Sequence, residues 1–102
     1  MSNNYTILAK AHNLATLYKC SVDDIFGKRR LRNVVKCRHI LFWYMYNVLD
    51  MSYTEVGKVF NVDHTTIMNG VKNIDFYRHI EDDIAGALSE IYQPFTSLAH
   101  KP

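Results

Sequence analysis

Apolar side chains recur along this chain at the three-and-four spacing of a helix face, and nowhere at the alternate spacing of a strand. Over residues 5–19 they fall at Ile7, Leu8, Ala11, Leu14, Ala15, Leu17 and Tyr18, which predicts an amphipathic helix that Asn3, Asn4 or Thr6 could cap. Ser21-Val22-Asp23-Asp24 then has the form of a capping box, with Asp in the place of Glu, and predicts a short helix through Phe26. Gly27 is its expected stop, in the left-handed position that costs glycine nothing. Asn33 is a candidate cap for a helix over about 34–49. Its apolar residues, from Val34 and Cys37 through Phe42, Trp43 and Tyr44 to Leu49, cover most of the circumference. Such a helix is central, with neighbours on several sides, so Trp43, Tyr44 and Tyr46 are read as core.

The second half carries stronger punctuation. Ser52-Tyr53-Thr54-Glu55 is a well-formed capping box, opening a helix to about Phe60 with Val56, Val59 and Phe60 on its inner face. Gly57 costs so short a helix roughly 1 kcal/mol relative to Ala, which suggests that it admits another helix closely. Asn61-Val62 forms the turn, and Asp63 caps the helix that follows. Val62 and Ile67 have the spacing of a hydrophobic staple. Ile67, Met68, Val71 and Ile74 face inward, leaving His64, Thr65, Asn69, Lys72 and Asn73 outward. After a break at 77–81, a last helix over 82–92 buries Ile84, Ala87, Leu88 and Ile91, with Asp82 and Asp83 at its positive end. Pro94 ends it and 96–102 is read as a frayed tail. The expectation is an all-α, small helical bundle of five to six helices, a single domain over 1–95 with a helix-turn-helix in its second half.

Composition changes this picture in one place. The 102 residues allow one modest core, and the net charge of +2 is ordinary. However, six of the twelve Lys and Arg fall between 28 and 38 (Lys28, Arg29, Arg30, Arg32, Lys36, Arg38), with no acid among them. A field of that sign points to a polyanion or an anionic membrane surface. Two cysteines without short paired spacing, Cys20 and Cys37, read as reduced thiols of a reducing compartment. The five histidines lack zinc-ligand spacing, and no nucleophile–base pair stands out. Accordingly no metal, cofactor, small-molecule substrate or enzymatic activity is expected. The start of the chain lacks a secretory pattern. The most apolar run, residues 40–49, is about half the ~20 residues a membrane helix needs. A soluble, cytoplasmic protein is expected.

In a helix-turn-helix the second helix enters the major groove and its first residues meet base edges. Asp63 could accept from cytosine N4, and the Thr65 methyl or the His64 ring could meet a thymine methyl. Thr66 could donate to a phosphate. The plainer alternatives are an N-cap for Asp63, a surface histidine at 64 and a solvated loop for the basic run.

The basic run, then Glu55-Val56-Gly57, Phe60 and Asp63-His64-Thr65-Thr66-Ile67, together resemble the C-terminal DNA-binding domain of the bacterial replication initiator DnaA. That family has a basic loop, a Ser-x-x-Glu-Ile-Gly helix start and an Asp-His-Thr-Thr-Val signature, and its domain IV is a Trp-repressor-like bundle. The likeness extends over roughly 14–92. It implies that Arg30 enters the minor groove while Asp63, His64 and Thr65 read bases in the major groove. It implies phosphate contacts from Lys36, Arg38, His39, Thr54 and Thr66. Local charge and position add Lys28, Arg29, Arg32, Asn69 and Lys72 to that set. The chain departs from the family in three places. Phe60-Asn61-Val62 stands for Phe-Gly-Gly-Arg, one residue shorter; Cys37-Arg38-His39 stands for Pro-Arg-Gln; and Asn69 stands where His is common. These bear on the target sequence.

These 102 residues contain no Gly-x-x-x-x-Gly-Lys-Ser/Thr motif, so an ATP switch of the initiator kind is not expected here. The implied partner is double-stranded DNA in the nucleoid, at DnaA-box-like sites of replication or transcription control, with self-association or contact with replication proteins as further options. The alternative is a protein-interaction domain, or an RNA or single-strand binder, reusing the same fold. A single-strand binder would need exposed aromatic side chains, which the pattern places in the core.

Overall fold

The structure, a computed structural model, describes residues 2–92 and contains six helices and no strand among them. They are α1 (Ser2–Tyr18), α2 (Val22–Phe26), α3 (Arg32–Asn47), α4 (Tyr53–Phe60), α5 (His64–Tyr77) and α6 (Asp82–Tyr92). The expected stop at Pro94 and the tail from 96 lie outside the described residues.

The all-round apolar pattern of α3 gives it the central place: every other helix packs on it. Val34, Cys37, Ile40, Leu41, Phe42 and Met45 of α3 are fully buried. All of these but Val34 join Leu14 of α1, Ile25 of α2, Val56 of α4, Ile67 of α5 and Ile84 of α6 in one core. Each such side chain contributes about 1.5–3 kcal/mol by leaving water. Trp43 and Tyr44 are buried as expected, and Tyr46 is half-buried, stacked on Tyr53 at 4.3 Å. Three aromatic rings join the elements that matter for the site. Phe26 of α2 stacks on Phe60 of α4 at 5.0 Å, and Phe60 meets Phe42 edge-on at 4.8 Å.

The capping boxes form as the spacing predicts. Ser21 accepts from the Asp24 amide at 3.0 Å, and Ser52 accepts from the Glu55 amide at 3.0 Å while Glu55 returns the bond at 2.8 Å. Other expectations need correction. The first helix begins at Ser2, so Asn3, Asn4 and Thr6 lie inside it instead of capping it. Helix α3 begins at Arg32, with Leu31 at the cap and no side-chain bond there. Asn33 instead donates to the Tyr18 carbonyl at 2.8 Å, satisfying one of the free carbonyls at the C-terminal end of α1. The same helix ends at Asn47, two residues before its apolar pattern does, and Asp50 takes a left-handed φ of 61° in the link to α4.

Gly27 is extended, at φ −93° and ψ −155°; the left-handed positions among the described residues belong to Lys19, Asp50 and Asn61. Val59 is exposed, because α4 is covered only along the stripe of Val56 and Phe60. Gly57 does permit a close approach, but of the turn: a Cβ there would stand 2.6 Å from the Val62 carbonyl oxygen. The glycine that admits a helix is Gly70 of α5, where a Cβ would stand 2.7 Å from the Phe42 ring of α3.

Candidate nucleic-acid interface

Three residues between the end of α4 and the start of α5 set the geometry of the candidate site. Asn61 caps α4 in the left-handed conformation, at φ 58° and ψ 48°, and its amide bonds the Gly57 carbonyl. Asparagine tolerates that conformation better than most L-residues. Val62 follows half-buried against the core, its amide also on the Gly57 carbonyl at 2.9 Å. Asp63 then caps α5: one carboxylate oxygen accepts from the Thr65 amide at 3.0 Å and from the Thr65 hydroxyl as well. Its other oxygen lies 3.7 Å from His64 Nδ1. The hydrogen bonds from Thr65, hydroxyl first and amide second, hold the Asp63 carboxyl below its ordinary range, so it is ionised at neutral pH.

The outward face of α5 is as expected. His64, Thr65, Thr66, Asn69, Lys72 and Asn73 are exposed, while Ile67, Val71 and Ile74 are buried beneath them and Met68 is half-buried. Thr54 of α4 shares a groove with Asp63 and His64, so the first turns of α4 and α5 open on the same side.

The basic arm, residues 28–31, lies beside this edge. Lys28, Arg29 and Arg30 are exposed, and Lys28 Nζ donates to the Asn61 carbonyl at 3.2 Å, fastening the arm to the turn. Arg29 reaches Asp24 at 3.6 Å. A cleft of about 560 Å³ separates arm from helix; Lys28, Arg30, Arg38, His39 and Thr66 stand around it over a floor that includes Phe42 and Phe60. A second cleft on the far side of Arg30 includes Arg32, Lys36, His39 and Asn73. Arg30 therefore projects between the two.

Two of the phosphate contacts that the resemblance implies, Lys36 and Arg38, have partners inside the fold, and a third, His39, is half-buried. Lys36 Nζ lies 2.8 Å from Glu81 and 3.1 Å from Asp83, and Tyr18 donates its hydroxyl to the same Asp83 carboxylate at 2.8 Å. The bond to Glu81, against some burial, raises the Lys36 pKa, so the ammonium is charged but locally matched. Arg38 donates from Nε to the Ile25 carbonyl and from Nη2 to the Asp24 carbonyl, both at 2.8 Å, closing the C-terminal end of α2. Burial, and secondarily Arg38, lower the His39 pKa, so this ring meets the cleft as a neutral donor or acceptor. The expectation that exposed aromatics are absent also fails: Phe76 and Tyr77 are 60% and 40% exposed, edge-to-face at 5.0 Å at the far end of α5. No group of His, Cys, Asp and Glu that could hold a metal occurs among the described residues, and no helix there is long and apolar enough to cross a membrane.

Gly57 and Gly70 were the hardest contributors to read in advance. The first lets the turn fold under α4, and the second lets α5 lie against His39 and Phe42. Only their placement in the middle of amphipathic helices signalled a packing role.

A short helix, a left-handed turn and a longer helix with a polar leading edge, backed by a central helix and flanked by a basic arm, define a helix-turn-helix protein. The chain belongs to the bacterial DnaA helix-turn-helix family, whose pattern matches residues 11–74. It is 33% identical over 81 residues to the chromosomal replication initiator protein DnaA of Dechloromonas aromatica (strain RCB), covering 78% of this chain and 17% of that protein. It is 31% identical over 99 residues to DnaA 1 of Chlamydia pneumoniae, covering 94% of this chain and 21% of the relative. With DnaA of Limosilactobacillus fermentum the identity is 34% over 71 residues, or 69% and 16% of the two. The chain thus spans about a fifth of the length of these relatives.

Proposed function

We propose that this protein binds double-stranded DNA by sequence, with α5 in the major groove and the arm in the adjacent minor groove. Its place would be at DnaA-box-like sites that govern replication or transcription. The observation that carries this reading is the cleft bounded on one side by Lys28 and Arg30 and on the other by Thr66 of α5. Two reading elements so placed face the same direction, as adjacent grooves of one duplex require. Asp63, His64 and Thr65 are the base-reading candidates of the major groove, and Arg30 that of the minor groove. Thr54, Thr66, Asn69 and Lys72, with Arg29 and Arg32, surround them and suit phosphates, which position the protein without specifying sequence. Lys28 acts mainly through Asn61, holding the arm to the turn. Lys36, Arg38 and His39 support the edge from behind.

The test is fluorescence anisotropy of the full chain on a DnaA-box duplex, a scrambled duplex and the single strand, at two salt concentrations. With about four phosphates neutralised, log K should fall with log salt at a slope of roughly −4, and the box duplex should bind tightest. Equal and weak binding to all three would sink the proposal. Preference for the single strand would transfer the function to the exposed Phe76–Tyr77 pair.

A further inference from the structure

The two cysteines, distant in sequence, meet in the fold. Cys20 Sγ, just after α1, lies 3.7 Å from Cys37 Sγ on α3, and both are free thiols. A bonded pair sits at about 2.05 Å, so side-chain rotation and a small adjustment separate the two states. Their surroundings differ. Cys37 is wholly buried, its thiol against the Leu14 carbonyl at 3.5 Å. Cys20 is half-buried on the rim of a groove that it shares with His12, Thr16, Ser21 and Asp23, which opens it to a small solute. An accessible thiol with a buried thiol behind it is the arrangement of a peroxidatic and a resolving cysteine.

We infer that Cys20 and Cys37 form an oxidation site, at which a hydroperoxide converts the two thiols into an intramolecular disulfide. The Cys20 sulfur attacks the peroxide oxygen, the O–O bond breaks, and the leaving oxygen departs as water or alcohol. Cys20 is then a sulfenic acid. Cys37 sulfur attacks it, the S–O bond breaks, and the hydroxide leaves as water with the Cys37 proton. Two thiols are oxidised, one peroxide is reduced, and a thiol reductant reverses the change. The ring so closed contains residues 21–36, which means α2 and the entire basic arm with Lys28, Arg29 and Arg30. Arg38, next to Cys37, already anchors α2 through the Asp24 and Ile25 carbonyls, so the bond would fasten that segment at both ends. Oxidation therefore sets how freely the arm opens. The inference stands on the thiols and the chain path, independently of the DNA reading.

The test treats the full chain with hydrogen peroxide, or with dithiothreitol as control. The oxidised form should lose two hydrogens as a monomer, and a peptide map should show the Cys20 and Cys37 peptides joined. Its Tm should rise by on the order of 10 °C, as expected for a ring of this size. Trypsin cutting after Lys28, Arg29 and Arg30 should slow several-fold, and dithiothreitol should restore both properties. Cys20→Ser, which leaves the buried Cys37 in place, should show none of these responses. Added oxygen on an unlinked Cys20, a disulfide between two chains, or an unchanged rate of arm cutting would each overturn the inference.

Discussion

Arg30 and Lys36 belong to the same uninterrupted run of positive charge, yet the fold gives them opposite surroundings. Arg30 is exposed between two clefts, beside the leading edge of α5. Lys36, six residues further on and inside α3, closes a junction of α1, α3 and α6 through Glu81, Asp83 and Tyr18. A cation held at 2.8 Å and 3.1 Å from two carboxylates adds little to the field outside the protein, whereas one pointing into water adds all of its charge. The basic run is therefore two structures: an arm that offers charge outward, and a helix that uses its charge to hold α6. The difference predicts that substitutions on the two sides separate binding from stability.

The largest effects belong to the exposed edge. Arg30→Ala and His64→Ala should each cost about 1–3 kcal/mol of duplex affinity, roughly 5- to 150-fold, and His64→Ala should also flatten discrimination between box and scrambled duplex. Neither should move the Tm beyond a few degrees, because both side chains leave the core untouched. Anisotropy and thermal melting on the same preparations check both halves. A lowered Tm with unchanged affinity would place Arg30 with Lys36 and dissolve the contrast.

Lys36→Ala should do the reverse, and more weakly. Removing the ammonium leaves Glu81 and Asp83 facing each other without their shared partner, a loss of up to about 1 kcal/mol for a partly exposed pair, or a few degrees in Tm. Duplex affinity should change by less than about twofold and the salt slope should stay put, since the lost charge was already matched. A slope reduced by about 1 with Tm intact would mean that Lys36 leaves its carboxylates for a phosphate when DNA arrives.

What the sequence made legible is what depends on neighbours three or four residues apart. The caps at Ser21, Ser52 and Asp63, the buried faces of α4 to α6 apart from the exposed Val59, and the central place of α3 all follow from spacing within one element. The resemblance to the DnaA family added the expectation that the basic arm and α5 form one site. The partners of Lys36, Arg38 and Asn33 were not legible, because Glu81, Asp24, Ile25 and Tyr18 lie in other elements, and composition is silent about which carboxylate or carbonyl a long side chain will reach. Backbone geometry was misread for a related reason. Gly27 has the residue type for a left-handed stop but is extended, while Lys19, Asp50 and Asn61 take left-handed positions in the links that follow α1, α3 and α4. Phe76 and Tyr77 are exposed although the neighbouring Asp75 and Arg78 reach Trp43 of α3, so the last turn of α5 turns its aromatic side outward.

The smallest effect is the most discriminating, because it gives the closed junction a signature that the open edge lacks. Burial alone would push the Asp83 carboxyl up, but hydrogen bonds from Tyr18 and Lys36 outweigh it and the net shift is downward. A carboxyl depressed in the folded state stabilises the fold above its unfolded pKa, near 3.9, and loses that contribution as pH falls through the folded value. Lys36 is shifted upward, so its share is present below 10.5 and lost only in alkali. The junction should consequently contribute a constant amount from about pH 5 to pH 9. The measurement is the Tm difference between the wild type and Asp83→Asn: a few degrees at pH 7, the same at pH 5, shrinking below about pH 4 and gone only once the pH is under the depressed folded value of Asp83. Taking the difference also removes the contribution of His39, whose lowered pKa destabilises both proteins alike as pH falls below about 6.5. A gap that closed between pH 5 and pH 7 would show that a histidine, and not the Lys36–Asp83 pair, governs the packing of α6.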